Sequence, residues 1–317
     1  MNILIIRRDN IGDLLLTTPL FRALKTQLKI NRLDLLTNTY SAPVIKGSPF
    51  IDDLYTYQKL KHGNINFFEA LLQKIYLIFK LRKNHYDYIL AFDRRAEHLA
   101  RYLNKDLILT PKETWFNFSE VERVWLLGKK LGIKGDPGLL DLPPNLYNPT
   151  NNKRDKFSIG IHISARRSRQ QYPIVKWVLL INKLHEANSK LRFNIFWSPG
   201  REKNPTHPGD DKKANTLKKE LKNLPVRFVP TPTITSLINS MKICGSMIMA
   251  DGGAMHIAAA LNIPIIALFG DSNPKRWRPW GVKFKILSNK SQDVKDIKVD
   301  QIFKAWSNML KINSSKR

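Results

Sequence analysis

MADGGAMHIAAALNIPIIALFG, Met249 to Gly270, is the stretch that decides the fold. The apolar run SMIMA leads into it and reads as a buried strand, PIIALFG closes it as a second strand, and one short helix-period segment lies between. Strand, crossover helix and strand in so few residues make a βαβ unit, and hence two parallel strands. Asp251, Gly252 and Gly253 form the turn into the helix. Paired glycines there leave backbone N–H groups unobstructed, and the helix dipole adds positive potential, so the turn suits a diphosphate. Ala254 and His256 follow in the first turn of the helix, near enough to meet the same ligand, although a lone histidine is more often structural. The Ala258-Ala259-Ala260 run allows close packing on a sheet.

Outward from this unit the same alternation continues in both directions. FSIGIHI, IVKWVLLINKLHEA, RFNIFWS, DDKKANTLKKELKN and VRFVP precede it; NILIIR, DLLLTTPLFRALKTQL, RLDLLTN, DLYTYQ, a helix from Phe67 and YDYILAFD fill the first half. Both halves read as Rossmann-like α/β domains with parallel sheets. DLPPNLYNPTNNKRDK, Asp141 to Lys156, lacks hydrophobic periodicity and reads as the linker. The boundary is placed near residue 150, giving domains 1–150 and 151–317. The last helix, QIFKAWSNML, is open to packing back on the N-terminal domain. FFEALLQKIYLIFKLRK, from Phe67, is interrupted by Glu69, Gln73, Lys74 and Lys80, and so predicts an amphipathic helix with an unusually apolar face rather than a membrane span.

Composition narrows the function classes. In 317 residues, 53 Lys and Arg face 26 Asp and Glu, a formal net charge of +27. Such a chain is drawn to polyanions: nucleic acid, an anionic membrane or a phosphorylated substrate. A Lys- and Asn-rich lineage without one target for its charge would look the same. Nothing concentrates the charge as an arginine-rich tail or an aromatic-plus-basic RNA signature would, so nucleic acid ranks below membrane and phosphate. The single cysteine, Cys244, excludes a disulfide framework and fits a reducing cytoplasm. MNILIIRRDN meets charge too soon for a signal peptide or a span and reads as a first strand.

In open α/β sheets ligands bind beyond the carboxyl ends of the strands, which selects two further loops. RRDNIGDLLLTTPL, Arg7 to Leu20, follows the first strand. Gly12 allows a tight turn and Asp13 opens a helix, where a carboxylate either caps free N–H groups or accepts the proton of an attacking hydroxyl. Asn10 and Gly12 stand where an acceptor would lie. IHISARRSRQQYP, Ile161 to Pro173, offers the Ser164 hydroxyl and the cations Arg166, Arg167 and Arg169 as a phosphate cradle, or simply a solvated basic loop. Arg94 and Arg95, in the stretch Asp93 to Glu97, either meet acceptor phosphates or are ordinary surface charge. The chain has no GxGxxG and no GxxxxGK[ST], against a dehydrogenase or a P-loop enzyme. It has no Asp-x-Asp pair and no His or Cys ligand spacing, so neither metal nor cofactor is expected.

These motifs resemble glycosyltransferase family nine, the lipopolysaccharide heptosyltransferases. The likeness rests on the strand followed by IGD-LLLTTP, on SRQxYP before a helix, and above all on DGGAMHIAAALNIPIIALFG. It implies a GT-B fold, two Rossmann-like domains facing a central cleft, with the lipid-linked saccharide acceptor on the N-terminal side and ADP-heptose on the C-terminal side. By resemblance Asp13 is the general base, Asp251 holds the donor sugar, the Gly252 and Gly253 amides meet the diphosphate, and Ser164 and His256 line the donor pocket. Inverting, metal-independent transfer is implied, by a monomer peripheral to the inner face of the inner membrane. Two departures stand out. Gln170 occupies a position where some members carry a phosphate-binding lysine, which passes that role to Arg169 or Arg166. In the long stretch from Ser198 to Ala214, Glu202, Asp210 and Asp211 all remain candidates for the ribose. The alternatives are another nucleotide sugar, or a non-catalytic basic protein that binds nucleic acid or membrane.

Overall fold

The computed structural model describes residues 1–58, 67–104, 108–151, 153–202 and 209–310. It divides into two compact units, Met1–Asn145 and Leu146–Arg317, so the division falls inside the Pro- and Asn-rich stretch.

In the N-terminal unit, strands β1 (Asn2–Ile6), β2 (Arg32–Asn38), β3 (Asp53–Tyr57), β4 (Tyr88–Ala91) and β5 (Ile108–Leu109) form a parallel sheet ordered β3-β2-β1-β4-β5. The central strands are buried on both faces, which is why they read as continuous apolar runs rather than alternating ones. Five helices accompany them among the described residues: α1 (Ile11–Leu15), α2 (Thr18–Gln27), α3 (Phe67–Arg82), α4 (Arg94–Arg101) and α5 (Glu120–Lys129). Helices α3 and α4 bury Leu77, Leu81, Ala96 and Leu99 against Leu4, Ile6 and Ile89 of the sheet, and α2 packs on α5. The segment DLLLTTPLFRALKTQL reads as one helical stretch, but it forms two helices. Pro19 has no N–H to give the Leu15 carbonyl, and the Thr18 hydroxyl supplies the missing donor at 2.7 Å.

In the C-terminal unit, β6 (Asp155–His162), β7 (Arg192–Trp197), β8 (Val226–Pro230), β9 (Cys244–Ala250), β10 (Ile265–Leu268) and β11 (Phe284–Leu287) form a second parallel sheet, ordered β11-β10-β9-β6-β7-β8. Its helices are α6 (Ile174–Ala187), α7 (Asp211–Glu220), α8 (Ile234–Met241), α9 (Gly253–Ala260), α10 (Pro274–Trp277) and α11 (Val299–Leu310). The last helix, left open to packing on the N-terminal domain, is seated in the core of its own unit. Ile302, Trp306 and Met309 of α11 are buried there with Leu180, Ile181 and Leu184 of α6. The Trp306 indole N–H donates to Ser246 Oγ at 3.0 Å, which satisfies its one polar atom inside that core.

Both sheets reverse their direction of growth once. The first runs β1, β2, β3 to one side and then places β4 and β5 on the other; the second does the same at β6 and β9. Loops leaving such neighbouring strands diverge to opposite faces and open a crevice at the carboxyl ends. The crevice lies between β1 and β4 in the first unit and between β6 and β9 in the second, at the loops nominated from the sequence.

Candidate active site

The loop after β1 is held from below by Asn38 at the end of β2, whose amide donates to the Arg8 and Asp9 carbonyls at 3.2 and 2.8 Å. Arg7 is buried and donates to Glu120 Oε1 at 2.7 Å, with Asp13 Oδ1 3.4 Å away and Asp9 Oδ2 3.6 Å away. Its guanidinium also stacks 4.7 Å from the Phe92 ring centroid. Burial disfavours the charge of Arg7, but Glu120, Asp13 and Asp9 outweigh that, and its pKa lies above the ordinary arginine range.

Asp13 occupies the third position of α1 and its side chain is 13% exposed. Oδ2 accepts the Asn10 N–H at 3.1 Å while Oδ1 faces Arg7, so the capping role and the position at the crevice coexist on one carboxylate. Gly12 differs from its expected role in a tight turn. It is buried as the second residue of α1, and the turn is made by Asn10, the exposed N-cap with extended backbone.

Asp9 was not selected from the sequence. Burial pushes its pKa up to about 6, Arg7 opposes the rise, and Asp13, Asp93 and Glu120 add to it. A carboxyl that titrates near neutrality at such a crevice is a candidate functional group. The shift comes first from burial, and the fold that buries Asp9 also brings Asp93 and Glu120 to it from far along the chain, so local sequence did not expose it.

Arg94 and Arg95 belong to the first turn of α4 rather than to a loop. Asp93 caps that turn, accepting from Arg95 N at 2.7 Å and Ala96 N at 2.8 Å. Both arginines line a cavity of about 360 Å³ together with Arg8, Lys74, His98 and Leu99. Arg8 is fixed at its edge, donating to Tyr57 Oη at 3.0 Å and to the Arg95 carbonyl at 3.2 Å. Four cations around one cavity at the β1/β4 crevice suit a phosphate or carboxylate ligand.

In the C-terminal unit, Gly252 caps α9 at φ +156°, a region essentially reserved for glycine. It is exposed, and Gly253 and Ala254 beside it are half-buried, while His256 is buried within the helix packing. Asp251 accepts from the Gln170 side chain at 3.3 Å. Gln170, noted only as a departure, therefore joins the loop after β6 to the loop after β9. The same loop after β6 also closes on the loop after β10, where a Cβ on Gly270 would fall 2.2 Å from the Arg169 carbonyl oxygen.

Ser164 Oγ accepts the Ser198 N–H at 2.9 Å, which leaves its own O–H as a donor toward a ligand. Arg167 pairs with Asp271 at 3.5 Å and Arg169 turns toward the Ser291 carbonyl. Arg166 is exposed without an ion-pair partner among the described residues, so of the two cations nominated for phosphate it is the more available. The three acids near the next loop separate similarly. Asp211 accepts from Trp197 Nε1 at 2.8 Å and Gly200 N at 2.9 Å, and Asp210 is buried against Lys213 at 2.6 Å. Glu202 is exposed and lines a cavity of about 680 Å³ with Asp211, Lys212 and Asn215. Among the described residues no group of three or more His, Cys, Asp or Glu side chains is placed to hold a metal.

The family model for glycosyltransferase family 9 (heptosyltransferase) matches residues 128–307, more than half of the chain. Lipopolysaccharide heptosyltransferase 3 of Escherichia coli is 25% identical over 298 residues, covering 85% of this chain and 83% of that protein. Among solved structures, a family 9 glycosyl transferase from Veillonella parvula superposes with a TM-score of 0.76 at 15% identity, covering 98% and 97% of the two chains. E. coli heptosyltransferase WaaC with ADP gives 0.75 at 16% identity, covering 98% of this chain and 100% of that one. At such identities the superpositions establish a shared two-domain α/β fold. The family match adds the reaction class, which sets aside the dehydrogenase and the non-catalytic basic protein: this chain belongs to glycosyltransferase family 9, the heptosyltransferase family, and is a glycosyltransferase.

Proposed function

We propose that the enzyme transfers a heptose, with inversion and without metal, from ADP-heptose to a phosphorylated, lipid-linked saccharide of the lipopolysaccharide core, met at the inner face of the inner membrane. Support comes from the E. coli relative, named a lipopolysaccharide heptosyltransferase, and from the structural neighbour solved with ADP. The observation that carries the reading is Asp13, held between the Asn10 amide and Arg7 beside a four-cation cavity. Arg8, Lys74, Arg94 and Arg95 bind the acceptor phosphate. Asp13 takes the proton of the attacking hydroxyl as its oxygen bonds to the anomeric carbon. The anomeric C–O bond to the diphosphate breaks on the opposite face, and ADP leaves with the electron pair.

On the donor side the Gly252 and Gly253 amides, with Arg166 and the Ser164 hydroxyl, neutralise the departing diphosphate, as a metal would elsewhere. Asp251, oriented by Gln170, accepts from a hydroxyl of the donor sugar, and Glu202 accepts from the ribose. A different nucleotide sugar is the second reading. The Gln170–Asp251 pair is compatible with it, because an amide and a carboxylate bind the hydroxyls of any neutral sugar.

The test is release of the donor's nucleoside diphosphate from purified protein given ADP-heptose and a heptose-deficient lipopolysaccharide acceptor, with other nucleotide sugars in parallel and chelator in every arm. Release with ADP-heptose alone supports the first reading, and release with another donor alone supports the second. Asp13→Asn should lower kcat by about 10²- to 10⁴-fold while ADP titration stays unchanged. A variant of near-normal rate would remove Asp13 from the base role.

A further inference from the structure

Helix α3 carries one apolar face more than its unit uses. Leu77 and Leu81 face inward and are buried in the core with Tyr55 and Ile89. Phe68, Leu71, Leu72, Ile75, Tyr76 and Phe79 follow the spacing i, i+3, i+4, i+7, i+8, i+11, which gathers them in one stripe on another side. Each of the six is between 42% and 69% exposed. Contiguous exposure of six large apolar side chains is unusual on a protein surface and marks an interaction site. Lys80, Arg82 and Lys83 are exposed at the C-terminal end of the helix, Lys80 over the Tyr55 ring and Arg82 donating to the Tyr102 carbonyl at 2.9 Å, and Lys74 lines the four-cation cavity. The helix contains one acidic residue, Glu69.

A second copy of the chain is a poor occupant, since each copy brings a net charge of +27 to the contact. An anionic lipid surface answers both features, taking apolar side chains among its acyl chains and cations at its headgroups. At 16 residues α3 is about 24 Å long, short of the bilayer's hydrocarbon thickness. No described helix is long and apolar enough to cross a membrane. We propose that α3 lies in the plane of an anionic bilayer, with Phe68, Leu72, Ile75 and Phe79 inserted at the acyl boundary and Lys74, Lys80 and Lys83 at the phosphates. It thereby holds the adjacent basic cavity at headgroup level. This deepens the reading of a lipid-linked acceptor given above.

The experiment is sedimentation of the full chain with phosphatidylcholine vesicles, with and without phosphatidylglycerol. Wild type should pellet with the phosphatidylglycerol vesicles and stay in solution with phosphatidylcholine alone. The triple variant Leu72→Asp, Ile75→Asp, Phe79→Asp should bind at least about tenfold more weakly, with ADP titration as the check that it is folded. Lys80→Glu with Lys83→Glu should weaken binding and reduce its salt sensitivity. Equal binding by wild type and the triple variant would overturn the proposal. So would a wild-type dimer in sedimentation equilibrium that the triple variant abolishes, since the stripe would then serve a second copy. Transfer to a detergent-dispersed acceptor separates the two readings. If the triple variant retains it, the anchor is isolated from the chemistry; if wild type lacks it with every donor while binding vesicles, the transfer reading fails and the anchor stands.

Discussion

Asp9 and Asp13 stand 3.6 and 3.4 Å from the same Arg7 guanidinium and share one positive charge that Glu120 also claims. Burial raises the Asp9 carboxyl to about 6, Arg7 opposes the rise, and the Asp13 charge adds to it. The kcat/KM profile should therefore show an inflection near pH 6, where Asp9 changes its charge beside Asp13. In Asp9→Asn the group that titrates there is gone, and the inflection should disappear. An inflection that persists in Asp9→Asn would show that another group is responsible. Stability follows the same sign. The folded state holds the Asp9 proton more tightly than the unfolded chain, so this residue's contribution is greatest at low pH and declines as pH rises toward 6. Asp9→Asn should accordingly raise Tm at pH 7, as differential scanning calorimetry would record. Cys244 is the contrasting case. Burial pushes its thiol up to about 12, so at pH 8 an alkylating reagent should modify it only as fast as the protein opens.

Two elements carry predictions of their own. The turn into α9 depends on a backbone that only glycine adopts cheaply, and a Cβ on Gly252 would meet nothing within 4 Å. The cost of Gly252→Ala is thus conformational rather than steric, about 1–3 kcal/mol. The turn should relax and misdirect the exposed amides. Isothermal titration with ADP should show weakened binding in a protein whose fold is retained, whereas unchanged affinity would take the diphosphate away from this turn. Helix α11 is structural in a different sense. Trp306 is among the largest fully buried side chains and pairs with Ser246, so Trp306→Ala should destabilise the C-terminal unit by about 3–5 kcal/mol. Denaturant unfolding would measure it, and a loss below 1 kcal/mol would mean that the helix is dispensable to that core.

At the scale of the whole molecule, one architecture is used twice. Each unit is a parallel sheet with a single reversal, and each gathers its candidate site residues at the reversal: carboxylates and cations between β1 and β4, glycine amides, Asp251 and Gln170 between β6 and β9. The net charge of +27 acquires locations that composition could not give it. Part of it rings the cavity of Arg8, Lys74, Arg94 and Arg95, and part flanks the stripe on α3. Arg7, by contrast, is buried and matched by carboxylates.

The sequence by itself determined the fold class and nominated three loops, because strand and helix periodicity, and a glycine pair at a helix start, are local properties. It also exposed the surplus apolar face of the helix from Phe67, since periodicity counts apolar faces. Contacts distant in sequence were decided only by the tertiary structure. Burial, with Asp13, Asp93 and Glu120 gathered around it, made Asp9 a near-neutral acid. Gln170 became Asp251's partner across 81 residues. Glu202 was separated from Asp210 and Asp211 by hydrogen bonds that no spacing rule contains. Gly12 was misplaced, and the packing of α11 left open, for the same reason: helix register and burial depend on what the rest of the chain packs against them, and a one-dimensional pattern does not carry that.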